Sequence, residues 1–137
     1  DMKQHKEYRA VLGREVPKDF AKFREMKYNG SGKWNKLQSL YRNRFSLQER
    51  LDYEMNGEKL FIPTNSKLES VRTIAGSGSK TPLRVAENLA KQYGGDPAEW
   101  KKKVGKIESD KYIFDVHWYE LYGKQYRAKV KERRDKL

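Results

Sequence analysis

The chain has 137 residues, of which 36% are hydrophobic and 36% charged, and it contains two histidines and no cysteine. This length allows one modest domain, or a helical arm with a smaller domain. The absence of cysteine excludes disulfides, thiolate metal sites and a cysteine nucleophile. The composition also gives no reason to expect a metal, another cofactor or a membrane partner. The net charge of +12 predicts a polyanionic partner, usually nucleic acid, and the alternative interpretation is a solvated basic surface.

The first part of the chain, residues 1–58, has the pattern of a helical connecting segment. Lys3–Leu12 carries a short apolar stripe that Gly13 would end, and Pro17 suits the first turn of a second helix. A third helix is predicted from Lys33 to about Glu54, because apolar residues recur there at spacings near three and four: Trp34, Leu37, Tyr41, Leu47 and Leu51. We expect this stripe to be a helix-packing surface rather than a ligand site.

A boundary is expected between Asn56 and Thr64, with Asn56-Gly57 ending the third helix. The remainder, residues 59–137, predicts a basic α+β domain that ends in a β-hairpin. The fold class predicted for the whole chain is therefore α+β, with N-terminal helices followed by a small antiparallel sheet packed on one or two helices.

The second part begins with a strand and continues through two helices. The strand is predicted over Leu68–Ala75, where β-branched residues suit a pleated surface. A helix is predicted over Pro82–Tyr93 with Thr81 as its N-cap, because proline is favoured at the first helical position. A short helix would follow, opened by Asp96 and ended by Lys101–Lys103 at its negative end.

The clearest pattern lies in Lys111–Lys131, which predicts a β-hairpin with one apolar and one polar face. A two-residue turn at Tyr122-Gly123 would mix the two faces. A three-residue loop, Leu121–Gly123, keeps them apart and pairs Trp118 with Tyr126, so this loop is predicted. The polar face then carries Asp115, His117, Tyr119, Gln125, Arg127 and Lys129.

That polar face supplies the candidate catalytic residues. His117 would lie opposite Arg127, and it is the residue whose ordinary titration range suits proton transfer near neutral pH, as either base or acid. Arg127 and Lys129 would hold a phosphate, and Tyr119 would donate a hydrogen bond to it. Metal-independent cleavage of RNA needs a set of this type. The alternative is a solvated polar face that carries only cross-strand pairs.

Further lysines and hydroxyls are candidate phosphate ligands. The run GSGSKT lacks the glycine that a P-loop needs directly before its lysine, so nucleotide hydrolysis is excluded. Ser79, Lys80 and Thr81, with amides at the start of the predicted helix, could still hold a phosphate; a flexible connection is the alternative. Four more lysines would add affinity for a phosphate backbone without sequence specificity: Lys101, Lys102, Lys103 and Lys131. The alternative is that the first three only form a charged helix end and that Lys131 belongs to a frayed terminus.

Two stretches resemble known proteins. The pattern HKEYR…LG…P…F…KYN…W..L…YR, within Lys3–Arg44, resembles the connecting segment of minor head (minor capsid) proteins of phages and prophages, related to the Mu F family. The stretch from Lys59 to Lys136 is similar in style to toxin-like domains attached to such proteins, of the barnase, EndoU, colicin D and RelE group. No catalytic motif of that group matches residue by residue.

The resemblance implies a virion-associated or bacterial cytoplasmic protein, with phage head proteins or an immunity protein as further partners. Together with the charge, it leads to the hypothesis of a phage-encoded effector directed at nucleic acid, RNA rather than DNA, as a metal-independent ribonuclease. Two alternatives stay open. One is a non-catalytic capsid-associated or DNA-packaging module that binds by charge; the other is an interaction module that oligomerises through Trp34, Leu37 and Tyr41.

Overall fold

The computed structural model describes residues 1–29 and 32–136, and it has the α+β class expected from the sequence. Contacts divide the chain into two compact units, the first made of residues 1–44 with Tyr122–Lys124, the second of Phe45–Leu121 with the chain from Gln125 onward. None of the described helices is long and apolar enough to cross a bilayer. The elements of the described residues are α1 (Met2–Leu12), α2 (Phe20–Tyr28), α3 (Gly32–Arg42), β1 (Leu51–Met55), β2 (Glu58–Ile62), β3 (Glu69–Gly76), α4 (Ala86–Tyr93), β4 (Lys101–Glu108), β5 (Tyr112–Leu121) and β6 (Lys124–Asp135).

Aspartate caps set the start of the first two helices. The Asp1 carboxylate accepts a backbone amide at the start of α1 at 2.9 Å, and the predicted end at Gly13 is confirmed, with φ at 53°. The Asp19 carboxylate does the same for α2 at 2.9 Å, so this helix begins at Phe20. The predicted start at Pro17 is wrong, because the capping carboxylate two residues later fixes the first turn.

The first unit packs its three helices around aromatic rings. The ring of Tyr8 stacks on Tyr41, with centroids 4.2 Å apart, and on Trp34 at 5.5 Å. The guanidinium of Arg44 lies 3.7 Å from the centroid of the Tyr41 ring, and so extends the stack by a cation–π contact. The predicted packing role is confirmed for Trp34, Leu37 and Tyr41, since the buried core of this unit is Tyr8, Leu12, Val16, Phe23, Trp34 and Leu37, with Tyr41 packed against it. Leu47 and Leu51, the rest of the predicted stripe, pack in the core of the second unit instead.

The third helix is shorter than predicted. It ends at Arg42, and a β-hairpin, β1 and β2, occupies residues where the helix was expected to continue. In β1 the side chains alternate between half-buried and exposed, which is a strand pattern. Asn56 and Gly57 form its turn with φ of 53° and 78°, as a two-residue hairpin loop requires. The first unit ends at Arg44, so this hairpin belongs to the second unit rather than to the helical segment.

The second unit is built on a four-stranded sheet of order β3-β4-β5-β6, with the β1–β2 hairpin packed on one of its faces. We call this the core face. The ring of Tyr53 on β1 meets Phe114 on β5 at 5.5 Å between centroids. Burial of apolar area here is what holds the unit together, and the buried cluster is Leu47, Ile62, Leu68, Ile107, Phe114, Val116 and Trp118.

The hairpin β5–β6 is confirmed, but its turn has two residues rather than three. Tyr122 and Gly123 alone lie between the strands, with φ of 48° and 80°. The faces do not mix, because Arg127 takes a left-handed φ of 53°, which marks a β-bulge and shifts the alternation by one residue. Tyr126 therefore packs against Tyr93 and Trp100, and the predicted pairing of Trp118 with Tyr126 is wrong.

Before the bulge, Gln125 points to the core side. Its side-chain carbonyl accepts the amide of Gln48 at 3.0 Å, and its side-chain amide donates to the carbonyl of Ser46 at 3.0 Å. After the bulge, Ala128 and Val130 pack against the core cluster. Since side chains alternate along a strand, Tyr126, Lys129 and Lys131 lie on the opposite side. The alternation shifts again after Lys131, because Glu132 and Arg134 also lie on that side, where they line a pocket with His117.

Two boundaries near α4 also differ from prediction. The helix begins at Ala86 rather than Pro82, so Thr81 does not cap it. Asp96 does cap, but it opens only a single 3-10 turn, with its carboxylate accepting the amide of Ala98 at 2.9 Å. Lys101–Lys103 begin β4 instead of ending a helix, because they pair with β5 along the sheet.

Candidate nucleic-acid interface

The polar side of the four-stranded sheet is the candidate site, and we call it the outer face. It is built by cross-strand pairing: Lys102 lies opposite Tyr119, Val104 opposite His117, and Lys106 opposite Asp115. Directly opposed residues of antiparallel strands share one face. On β3, Arg72 lies opposite Val104 and so joins the same face.

A groove of about 560 Å³ runs across this face, and we call it the His117 groove. All four strands of the sheet contribute to it. Its charged and titratable lining residues are Arg72, Lys106, Asp115, His117, Glu132 and Arg134. One ion pair crosses it, in which the guanidinium of Arg134 lies 3.5 Å from the carboxylate of Asp115. Both side chains of this pair are accessible to solvent, so the pair adds little stability.

The electrostatic surroundings of His117 favour its neutral form. Burial lowers the pKa of the imidazole below its usual value of 6.5, the positive charges of Lys102, Lys131 and Lys129 lower it further, and Asp115 opposes them. The ring is therefore mainly uncharged at neutral pH, as a general base must be. Its Nδ1 is buried and has no hydrogen-bond partner within the described part of the chain.

The outer face is strongly basic. Lys129 and Lys131 are exposed on β6, and both act on the charge of His117. The described residues that line the groove or act on the imidazole include two carboxylates, Asp115 and Glu132, and six cations, Arg72, Lys102, Lys106, Lys129, Lys131 and Arg134. Cations spaced over a sheet in this way match the charge of a nucleic-acid backbone.

Three of the four predicted catalytic residues share this face. His117, Tyr119 and Lys129 lie on it, and the ammonium of Lys102 sits 5.9 Å from the centroid of the Tyr119 ring. Arg127 does not face His117 as predicted. Its Nε donates to the hydroxyl of Tyr93 at 3.2 Å, and an Nη donates to the side-chain carbonyl of Gln92. The bulge explains the difference, because it turns this side chain toward α4.

The predicted phosphate loop lies in a different place. Ser79, Lys80 and Thr81 line a hollow of about 340 Å³ next to Pro82 and Pro97. The amide of Thr81 donates to the hydroxyl of Ser79 at 3.1 Å, so the loop satisfies part of its own polar groups. Since α4 starts only at Ala86, the predicted helix N-terminus is not there to bind an anion.

The lysine triplet divides between the two faces. Lys102 joins His117 on the outer face, as does Lys131 of β6, whereas Lys101 and Lys103 lie on the core face beside Glu120. The ammonium of Lys103 is 3.1 Å from Oε2 of Glu120, an ion pair by distance, although that oxygen accepts no well-aligned hydrogen bond. Burial and the nearby Lys103 lower the pKa of Lys101, which is partly offset by Glu120.

Sequence reasoning missed two cations of the groove, Arg72 and Lys106, and expected Arg134 only as part of a basic C-terminal tail. Arg72, Lys106 and Arg134 come from β3, β4 and β6, and they meet only because the strands are neighbours in the sheet. A signal for two of them existed, since Arg72 alternates with Val71 and Thr73, and Lys106 with Ile107, at the period of a strand. No signal in the sequence gave the order of the strands.

No protein-family model matches this chain, and no significant match was found among curated proteins or solved structures. The proposed chemistry therefore depends on the geometry and charge of the outer face alone. The chemical features of this face are the groove, the imidazole with its lowered pKa and the surrounding cations.

Proposed function

We propose that the outer face binds RNA through its phosphates and that His117 makes the groove a metal-independent ribonuclease site. One observation carries the proposal: the only histidine of the second unit lines a solvent-open groove with Arg72, Lys106 and Arg134, and its pKa is lowered toward the neutral form. A base that is neutral at the working pH, next to cations that can hold a phosphate, is what 2′-hydroxyl attack requires.

The reaction divides between these groups as follows. Neutral His117 takes the proton of a 2′-hydroxyl, whose oxygen attacks the adjacent phosphorus. The bond from phosphorus to the 5′-oxygen breaks, and this oxygen takes a proton from a lysine ammonium of the face or from water. The products are a 2′,3′-cyclic phosphate and a 5′-hydroxyl. Arg72 and Arg134 would stabilise the charge that builds up on the phosphate oxygens, as guanidinium groups do.

The biological setting belongs to the same proposal. The resemblance of Lys3–Arg44 to the connecting segment of phage minor head proteins supports a phage-encoded effector, with the ribonuclease site on the second unit. Phage head proteins and an immunity protein are the protein partners that this setting implies, and the virion or the bacterial cytoplasm is its location.

The test is cleavage of RNA in excess chelator. We expect the wild-type protein to produce fragments that end in 2′,3′-cyclic phosphate, and His117→Gln to lose at least about 100-fold in rate, the usual contribution of a general base. Lys59→Gln, which removes an exposed cation from β2, is the matched control and is purified in parallel. Intact RNA with the wild type, or equal cleavage by His117→Gln, would remove the enzymatic claim.

The pH dependence of cleavage gives a further criterion. Because the pKa of His117 is lowered, the base is already deprotonated at neutral pH. We expect the rate to rise with pH on the acid side, with a midpoint below 6.5, and to level off by neutral pH. A rate that fell over this interval would assign His117 to the acid instead.

A second candidate function is favoured by a specific observation. The Asp115 carboxylate lies against Arg134, and Nδ1 of His117 has no hydrogen-bond partner within the described residues, so no carboxylate orients the imidazole. A capsid-associated or DNA-packaging module that only binds nucleic acid would need no such orientation. It predicts equal affinity for DNA and RNA, no cleavage, and no effect of His117→Gln on binding at neutral pH.

Binding itself is tested by its salt dependence, which both candidates share. The affinity should fall steeply with salt. In a plot of log affinity against log salt concentration, each of the variants Arg72→Gln, Lys106→Gln and Lys131→Gln should reduce the slope by about one. A slope unchanged in all three variants would place the nucleic acid elsewhere on the protein.

A further inference from the structure

A partly exposed tyrosine lies where the end of α4 contacts Tyr126 and Arg127 of β6. Tyr93, the last residue of α4, is 37% exposed although it is a large aromatic residue. Its ring is supported from inside the protein by Tyr126, with centroids 4.6 Å apart, and by Trp100, at 6.0 Å. Trp100 is completely buried, and its indole N–H donates to the carbonyl of Gly94 at 3.1 Å. The ring is therefore held rigidly from behind.

A guanidinium group contacts the same ring. The central guanidinium carbon of Arg127, Cζ, lies over the Tyr93 ring at 5.5 Å from its centroid. Nε donates to the Tyr93 hydroxyl and one Nη donates to Gln92, so three of the five N–H donors of the guanidinium have no partner among the described residues. The left-handed backbone of Arg127, with φ at 53°, gives the side chain this direction although a side chain is disfavoured in this conformation.

The ring and the His117 groove are connected along β6. Lys129 follows Arg127 by two residues, a rise of about 7 Å along a strand. Lys129 is also close enough to His117 to lower the pKa of its imidazole. A strand of RNA with a phosphate at Lys129 could therefore reach the groove on one side and Tyr93 on the other.

We infer that Tyr93 is a stacking platform for one unpaired nucleobase of the bound strand, with Arg127 fixing the ring and contacting the same nucleotide. This inference rests on the proposed RNA binding and makes it specific for single strands, because a base held in a duplex has no free face to stack. A tyrosine ring accepts the face of any base, so the platform selects strandedness rather than sequence.

The experiment uses a short RNA that carries one fluorescent adenine analogue and 2′-O-methyl groups, which prevent cleavage by 2′-hydroxyl attack. We expect the fluorescence to be quenched on binding, and the single strand to bind at least about tenfold more tightly than the corresponding duplex. Tyr93→Leu should weaken single-strand binding by about tenfold and remove the quenching, whereas Tyr93→Phe, which keeps the ring, should resemble the wild type.

Two controls separate the possible outcomes. Tyr28→Leu changes a 79% exposed tyrosine on α2 and should leave binding unchanged. The comparison of single strand and duplex uses the wild-type protein, so it does not depend on the folding of any variant. If the single strand and the duplex bind equally well and the fluorescence is not quenched, the stacking platform is overturned. If that binding still depends on salt, the proposed function remains intact. Absence of any RNA binding overturns both.

Discussion

The two faces of the four-stranded sheet are made by alternate residues of the same strands, yet they differ in almost every physical property. On the core face, β5 places Phe114, Val116 and Trp118 in the buried cluster. On the outer face, the residues between them, Asp115 and His117, line an open groove with cations from the other strands. Residues next to one another in β5 therefore alternate between packing the core and lining the groove.

Stability and the proposed function therefore depend on different, alternating residues of the same strands. Burial of a large apolar side chain contributes about 1.5–3 kcal/mol, whereas an exposed cation contributes little and repels its neighbours. The outer face is thus free to concentrate charge, because the core face supplies the stability. Two polar side chains are also buried on the core side, Glu120 at 2% exposed and Gln125 at 9%.

The largest expected effect comes from removing the main ring of the core face. Trp118 is 1% exposed, so Trp118→Ala should lower the free energy of unfolding by about 3–5 kcal/mol through lost burial and a cavity. Lys129→Ala, on the outer face, should change it by less than about 0.5 kcal/mol. Chemical denaturation measures both, and similar values for the two variants would contradict the division between the faces.

The next effect concerns Glu120, a carboxylate buried on the core side. Glu120→Ala removes the partner of the Lys103 ammonium and an acceptor for the Trp118 indole N–H, 3.4 Å away. We expect a loss of about 1.5–3 kcal/mol in unfolding free energy. Glu120→Gln keeps an acceptor and should cost less. An unchanged free energy of unfolding in Glu120→Ala would mean that the ammonium of Lys103 reaches water at no cost.

A smaller effect should appear at the bulge that keeps the two faces apart. Arg127→Gly and Arg127→Ala both remove the guanidinium, but only alanine keeps a side chain in the left-handed conformation. The glycine variant should therefore be more stable than the alanine variant by about 1 kcal/mol. Equal thermal stability of the two would show that the backbone relaxes out of this conformation when the side chain is shortened.

The smallest effect is the pH dependence of stability contributed by the outer face. Because the pKa of His117 is lowered in the folded protein, the unfolded chain binds the proton more readily near pH 6.5. His117 therefore causes stability to fall as the pH drops through its unfolded value, by less than about 1.4 kcal/mol per pH unit. Denaturation at several pH values should show a shallower dependence in His117→Gln. A steeper one would mean that the folded protein favours the imidazolium.

Much of the second unit could be predicted because local patterns there agree with the tertiary structure. The alternation from Tyr112 to Trp118 gave the strand and its faces, since a residue period of two is an intrinsic property of an extended chain. The same rule, applied to Leu51, Tyr53 and Met55, would have found β1. Asn56-Gly57 is a strong hairpin signal, but the wider spacing of apolar residues suggested a helix there.

The sequence by itself determined the fold class, the basic charge and the presence of His117 on a polar strand face. Only the tertiary structure decided the two-residue turn, the bulge at Arg127, and the meeting of Arg72, Lys106 and Arg134 around His117. The physical reason is that periodicity reports local backbone geometry. A strained residue and a neighbouring strand are fixed by contacts between parts of the chain far apart in sequence, such as Arg127 with Gln92 and Tyr93.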